Sequence, residues 1–402
     1  MSRLSLARPF ALCGGRCQHS SGLAPAAAAG HAGDMDERFR LHPESRLLTP
    51  DAPGAAALVR ALREGRGIVA GEGGVEAREA PFLWCRTSGS GGAPKVVHRR
   101  PASWIASFEV NAQLFGLGPA DVVAALGALG HSLTLYAAIE ALHLGCGLAL
   151  LGGRHGRAQA RAAAELGVTV IYATPSQLSL LVDGDPLPGV RLVLCGGGRL
   201  SPELRARLVE RMPAAELRAF YGASETSFVT LTDDGTPEGA VGRPYPGVEL
   251  SIDGGTGEVW VRSPYLFDGY EGAGSALTRS RDGWVTVGEV GRLDADGHLW
   301  LSGRRDRVVR VAERDVFLED VEAALAGLTG RPAAAVALPD AARGAVIVGV
   351  VTGPAESDAI REGCRAVLPP QAVPRRVRVV DALPLLPAGK TDLAAIQRLV
   401  TE

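Results

Sequence analysis

The stretch VVAALGALGHSLTLYAAIEALHLGCGLALL, residues 122–151, decides the fold class. Apolar runs alternate with glycines in the order expected of a strand, a helix and a second strand. Its most apolar part, Leu142–Leu151, is broken by Gly145 and Gly147. It therefore reads as a buried strand and its approach, not as a membrane span, which needs about 20 uninterrupted apolar residues. Downstream the pattern continues with a helix over Ala158–Leu166, a strand over Val168–Tyr172 and a strand over Val190–Leu194 that runs into Gly196-Gly197-Gly198. A further helix follows, with Ser201 as its cap, Pro202 at its first position and Glu203 in its first turn. Leu217–Tyr221 is another short strand. Strands alternating with helices predict a mostly parallel α/β sheet.

The texture changes after Pro244. Val248–Ile252, Gly257–Arg262, Trp284–Leu293 and His298–Leu301 read as short strands separated by Gly/Asp turns, an antiparallel β region. Beyond Arg305 come a helix (Glu319–Leu328), two strands (Ala334–Leu338 and Val346–Val351), a helix (Ser357–Val367) and a strand (Arg376–Val380), a small α+β unit. The expected organisation is an extension over 1–34, a large domain with mostly parallel sheets flanked by helices plus a β region over 35–305, and a small C-terminal α+β domain over 306–402. The extension carries Arg3, Arg8 and Arg16, several serines and no acid before Asp34. It reads as a disordered tail or an upstream start with Met35 as the working one; a transit peptide has the same composition.

The chain of 402 residues is 46% hydrophobic and 21% charged, with a formal net charge of -2, an ordinary globular balance without the basic excess of a nucleic-acid binder. Of the 6 cysteines, Cys85, Cys146, Cys195 and Cys364 sit singly in apolar contexts, as reduced core cysteines do in a cytoplasmic protein. Cys13 and Cys17 form a lone pair with only His19 nearby, too few ligands for a zinc site.

Chemistry first surfaces in Thr87-Ser88-Gly89-Ser90-Gly91-Gly92-Ala93-Pro94-Lys95. Small hydroxyl residues and glycines let backbone N–H groups approach phosphate oxygens, and Lys95 adds positive charge. It is not the P-loop, in which Gly-Lys is followed at once by Ser or Thr; here Lys95 stands between Pro94 and Val96. Taken alone, such a segment is also a common surface turn.

Other segments follow in a telling order. Thr87–Lys95 resembles the Thr-Ser-Gly-Thr-Thr-Gly-x-Pro-Lys signature of the adenylate-forming superfamily, which includes acyl-CoA synthetases, the adenylation domains of nonribosomal peptide synthetases and firefly luciferase. Tyr221-Gly222-Ala223-Ser224-Glu225 is similar to its Tyr-Gly-x-Thr-Glu motif. Gly257–Arg262 with Gly269-Tyr270, Gly288-Glu289, Gly303-Arg304-Arg305-Asp306 and Pro387–Asp392 resemble the family's later segments.

The resemblance implies ATP-dependent activation of a carboxylic acid to an acyl-adenylate, then transfer of the acyl group to CoA or to a phosphopantetheinyl carrier protein. It assigns Thr87, Ser88, Gly89, Ser90, Gly91, Gly92 and Lys95 to the ATP phosphates. Glu225 goes to Mg²⁺, a hard cation suited to carboxylate and phosphate oxygens. Ser224 meets the α-phosphate, Tyr221 and Gly222 the adenine side, and Gly196, Gly197 and Gly198 let backbone approach the base. Glu289 and Arg304 take the ribose and nucleotide. Lys390 is the implied catalytic residue beside Glu225, because a lysine at the reacting oxygens offsets the repulsion between a carboxylate and a phosphate. His131, Tyr136, Thr174, Pro175 and Ala223 are the candidates for the acyl pocket. Asp306 is the implied hinge about which a mobile small domain turns.

The sequence departs from the family pattern in places. Gly91 replaces a usual hydroxyl residue, Glu289 a usual aspartate, and Glu313 stands where relatives carry a glycine that lines the pantetheine tunnel. Only about half of the usual N-terminal region precedes Thr87. Glu313 motivates an alternative, capture of the adenylate by an amine; a nucleotide-binding protein without turnover is the third reading.

Overall fold

The computed structural model describes residues 38–71, 74–87, 95–354, 356–385 and 391–401. The stretch 122–151 folds as its pattern predicts: strand Val122–Ala125, helix Ser132–His143, strand Gly147–Leu150, the two strands parallel neighbours. They belong to an eight-stranded sheet ordered Arg46–Leu47, Gly147–Leu150, Val122–Ala125, Val170–Ala173, Leu192–Cys195, Glu216–Ala223, Ser227–Leu231, Arg243–Pro244. The first six strands run parallel and the last two are antiparallel.

Successive side chains of a strand point to opposite faces, and here they divide between two cores. Val123, Ala125, Leu148, Leu150, Val170, Tyr172, Leu192 and Leu194 enter one. Ala124, Ala149, Ile171, Ala173, Val193 and Cys195 enter the other. The first is covered by helices Pro101–Phe115 and Ser132–His143, through Trp104, Phe108, Leu135 and Ile139. Helices Gly156–Glu165, Pro175–Leu181 and Pro202–Arg211 cover the second. Burial on both faces is why these strands read as apolar runs without polar alternation. The Ser201 cap forms as expected, accepting the Leu204 amide at 3.2 Å.

A five-stranded sheet lies upstream, ordered Gly269–Glu271, Lys95–Arg99, Leu83–Thr87, Gly67–Gly71, Gly74–Arg78. Leu83–Thr87 and Lys95–Arg99 are antiparallel partners, with Thr87 opposite Lys95, so the Ser/Gly segment joins the two strands of a hairpin. The expected strand Trp284–Leu293 is two strands. Gly288 at φ 82 turns the chain, Trp284–Thr286 joins a four-stranded antiparallel sheet, and Glu289–Leu293 pairs with Leu299–Arg304.

At the C-terminal end, strands Ala333–Asp340, Gly344–Thr352 and Arg376–Val380 form a sheet with helices Leu318–Thr329, Ser357–Val367 and Leu393–Thr401. Its apolar residues gather in two clusters distinct from the cores of the large sheet. A hairpin of Val308–Val311 with Arg314–Phe317 precedes it. Its two turn residues, Ala312 at φ 48 and Glu313 at φ 68, are both left-handed, a conformation that favours glycine. A glycine at position 313 would adopt this backbone without the strain that a side chain brings.

Candidate active site

Strand Glu216–Ala223 is the last parallel strand of the large sheet, and ligands of such sheets bind beyond the strands' carboxyl ends. The chain reverses there into Ser227–Leu231, with a bulge between Tyr221 and Gly222. The reversal is tight: a Cβ on Gly222 would lie 1.9 Å from the Ser227 carbonyl oxygen. Ser227 is itself held at φ 55, a strained conformation for a non-glycine residue. The Thr226 hydroxyl accepts the Ala223 amide at 3.1 Å. Glu225 is thus carried on a short, pinned loop.

Two neighbours grip that loop. Phe267 donates its amide to the Glu225 carbonyl at 2.9 Å, and the Tyr270 hydroxyl donates to Glu225 Oε1 at 2.6 Å. On the other side stands Arg99, fully buried at the end of the strand that begins with Lys95. Its guanidinium donates to the carbonyl oxygens of Ser224 and Tyr265 and to the Ser227 hydroxyl, the last at 2.7 Å. Burial pulls its pKa down to about 10, opposed by the nearby acids of Cys85, Glu225 and Asp268, so it stays cationic at neutral pH. Arg99 therefore ties the strand leaving the Ser/Gly segment to the loop that carries Ser224 and Glu225.

Tyr221 meets the other nucleotide candidates. Burial keeps its hydroxyl protonated, and the charges of Glu289 and Glu225 push the same way against Arg304. Glu289 and Arg304 are direct partners across their two strands. Arg304 pairs with Asp306 at 3.2 Å, and Asp306 sits in the short turn Arg305–Arg307 that opens toward the C-terminal sheet. Gly196 continues the strand beside Glu216–Ala223, and a Cβ on it would strike the Phe220 ring at 2.2 Å. Gly197 at φ 80 and Gly198 follow, both exposed. Gly198 lies against Pro175; Thr174 before it caps its helix through a reciprocal pair of hydrogen bonds with Gln177.

Four of the predicted nucleotide residues, Tyr221, Glu225, Glu289 and Arg304, thus come together at one end of the sheet. Thr87 and Lys95 stand at the ends of their hairpin strands, and His131 is bridged to Arg86 beside Thr87. Tyr136 is placed differently. It is buried within the first core, and its hydroxyl contacts Ser107 at 2.8 Å and Glu140 at 3.2 Å. Ser88, Gly89, Ser90, Gly91, Gly92 and Lys390 lie outside the described residues, as do Cys13 and Cys17.

Sequence reasoning missed Arg99 and the grip of Tyr270 on Glu225. Arg99 had a signal: it shares a strand face with Val97, an inward position where an apolar residue belongs. Tyr270 had none beyond its motif, since its partner lies 45 residues away in sequence.

Among the described residues one trio of metal-type ligands converges, Asp294, Asp296 and His298. It lies in the turn of the Glu289–Arg304 hairpin, away from Glu225 in the chain. The Asp294 carboxylate there accepts the amides of Asp296 and His298 and the Trp300 indole N–H, which is the work of a turn. The Glu225 site has different chemistry: one hard oxygen, Oε1, held by Tyr270, and no donor to Oε2 among the described residues. That suits Mg²⁺, which is commonly held by one or two carboxylates together with substrate phosphates and water.

The description of AMP-binding enzymes matches residues 50–271, more than half of the chain, and that of the family's C-terminal domain matches residues 320–390. The chain belongs to the AMP-binding enzyme family. Among curated relatives, the uncharacterised acyl-CoA ligase YhfT of Bacillus subtilis is 30% identical over 340 residues, covering 81% of this chain and 70% of the relative. The phenyloxazoline synthase MbtB of a Mycobacterium species is 32% identical over 346 residues, which span 78% of this chain but 30% of that protein. Among solved structures, the amide bond synthetase McbA of Marinactinospora thermotolerans aligns with a TM-score of 0.70 at 29% identity, covering 82% of this chain and 72% of that one. The o-succinylbenzoate CoA synthetase of Bacillus subtilis shares the fold with a TM-score of 0.70 at 23% identity, covering 78% and 68%.

Proposed function

We propose that this protein activates a carboxylic acid with ATP and passes the acyl group to a thiol. A carboxylate oxygen of the acid bonds to the α-phosphorus of ATP, the bond to the β-phosphate bridging oxygen breaks, and pyrophosphate leaves. The thiol sulfur of CoA or of a separate carrier protein then bonds to the acyl carbon, and AMP leaves. The observation that carries the reading is the convergence of Tyr221, Glu225, Glu289 and Arg304 beyond the last parallel strand, beside the hairpin that carries Thr87 and Lys95. Family membership and likeness to acyl-CoA ligases support it.

In this reading Tyr221 and Gly196–Gly198 flank the base, Glu289 and Arg304 take the ribose side, and Ser224 with the Thr87–Lys95 segment takes the phosphates. Glu225 holds Mg²⁺, which supplies charge neutralisation to the departing pyrophosphate when bound. Lys390 approaches the reacting oxygens in the adenylation step, and the C-terminal domain turns about Asp306 between the two steps. His131, Thr174, Pro175 and Ala223 border the acyl group; Tyr136 acts from beneath, through its packing. The free, buried cysteines among the described residues support a cytoplasmic setting; no described helix is long and apolar enough to cross a membrane.

A second reading, capture of the adenylate by an amine, draws on the 29% identity to an amide bond synthetase. Pyrophosphate and product are measured with ATP, Mg²⁺ and a panel of carboxylic acids, with CoA, with an amine panel, and with neither. The thiol reading expects a CoA thioester. Pyrophosphate with amide and no thioester favours the second reading, and no acid-dependent pyrophosphate from any panel member rejects both.

A further inference from the structure

The Glu225 carboxylate is anchored by a side-chain relay that no nucleotide contact requires. Tyr270 lies on strand Gly269–Glu271, paired with Lys95–Arg99 so that Tyr270 faces Val97. Its hydroxyl lies 2.6 Å from Glu225 Oε1 and 2.8 Å from Thr278 Oγ1. An ionised carboxylate only accepts, and a tyrosine has one hydroxyl proton. The proton of Tyr270 therefore goes to Glu225, and Thr278 donates to the Tyr270 oxygen. The direction of the relay is fixed: Thr278 to Tyr270 to Glu225.

The relay is rigid at each point. The Tyr270 ring meets Phe267 edge-on at 5.1 Å, and Phe267 donates its own amide to the Glu225 carbonyl. A Cβ on Gly274 would lie 2.6 Å from the Tyr270 ring, so the chain closes directly over it. The Thr278 amide donates to the Ser275 carbonyl at 3.1 Å. One carboxylate oxygen of Glu225 is thus committed to a fixed donor, while Oε2 accepts from no described residue.

We propose that Tyr270, backed by Thr278, is a positioning residue that fixes the Glu225 carboxylate for the divalent cation accompanying ATP. The proposal rests on the reading of Glu225 as the cation's protein ligand. Hydrogen bonds to a ligating carboxylate set its orientation, and losing such a partner typically costs 10–100-fold in metal affinity or activity. The same strand pairs with Lys95–Arg99, so the relay also fixes Glu225 relative to the end of the Ser/Gly hairpin.

The test is linkage between cation and nucleotide, read by binding. A non-hydrolysable ATP analogue is titrated into unaltered protein, Glu225→Gln, Tyr270→Phe and Thr278→Val, each with Mg²⁺ and with EDTA. The ratio of the two dissociation constants is the Mg²⁺ coupling. The proposal expects coupling in the unaltered protein, its loss in Glu225→Gln, and a reduction of about 10-fold in Tyr270→Phe and a smaller one in Thr278→Val, these last two with affinity in EDTA unchanged. Pyrophosphate release by Tyr270→Phe should then recover as Mg²⁺ is raised. Coupling lost in Glu225→Gln but intact in Tyr270→Phe overturns the proposal and leaves the Glu225 reading standing. Equal weakening of Tyr270→Phe with and without Mg²⁺ also overturns it, since that marks a purely structural role. Identical coupling in the unaltered protein and Glu225→Gln overturns the reading and the proposal with it.

Discussion

Replacing Glu140 by glutamine should change the pH dependence of stability by an amount the structure sets. Glu140 lies on helix Ser132–His143 and is fully buried. Its carboxyl accepts from the Tyr172 hydroxyl, from Asn111 Nδ2 at 2.8 Å and from the Tyr136 hydroxyl at 3.2 Å. Burial nevertheless outweighs these donors and raises its pKa from 4.5 to about 7. A group whose folded pKa is raised contributes stability that is full below its unfolded pKa and is lost as pH rises through the folded one. The window is therefore pH 4.5 to about 7. Across it, at 1.36 kcal/mol per unit, the loss is about 3 kcal/mol. Glutamine keeps the shape, one carbonyl acceptor and an N–H donor in place of the acid's O–H, and cannot ionise. Denaturant unfolding of both proteins from pH 4 to 8 measures the difference, since the other titrating groups are common to both. The stability of the parent should fall relative to Glu140→Gln across the window and stay level above it. Parallel profiles would refute the claim that a neutral carboxyl is buried here.

The remaining predictions concern the site and its approaches. Glu313→Gly should stabilise the protein: a left-handed non-glycine residue costs roughly 1–2 kcal/mol, offset by about 0.4–1 kcal/mol of added unfolded-state freedom. Unfolding that comes earlier would show that the Glu313 side chain contributes more than its backbone costs, and a faster thioester step in the same variant would support the tunnel reading. Gly222→Ala places a methyl 1.9 Å from the Ser227 carbonyl and must move the Glu225 loop. Adenylation should fall by about 100-fold, the cost of a misplacement near 1 Å, while far-UV circular dichroism is unchanged; full activity would mean that the loop need not be held so tightly.

The large sheet was legible because its strands are buried on both faces and are separated by helices, so apolar runs and glycines mark nearly every element from Val122 to Tyr221. The five-stranded sheet was hidden. Gly74–Arg78 and Lys95–Arg99 carry charges, one of them the buried Arg99, and Gly269–Glu271 is three residues long with a partner far upstream. Tertiary pairing, not local pattern, makes those strands. Trp284–Leu293 looked continuous because Gly288 interrupts it with a change of direction and not of composition. At the site, the resemblance to the family's motifs pointed to Tyr221, Glu225, Glu289 and Arg304. The groups that hold them, Arg99 and the Tyr270–Thr278 relay, answer to contacts between distant segments. Tyr136 shows the converse: it stands near His131 in sequence, yet its hydroxyl belongs to the buried Glu140 network.

The central claim is that a carboxylic acid is joined to AMP here before any acceptor takes part. Exchange of labelled pyrophosphate into ATP, measured without CoA or amine across a panel of acids, tests it most directly, with Lys390→Ala alongside. Exchange that depends on at least one acid, and falls by orders of magnitude in Lys390→Ala while ATP still binds, is the predicted result. Exchange with no acid, or none from a broad panel at saturating ATP and Mg²⁺, would contradict the account.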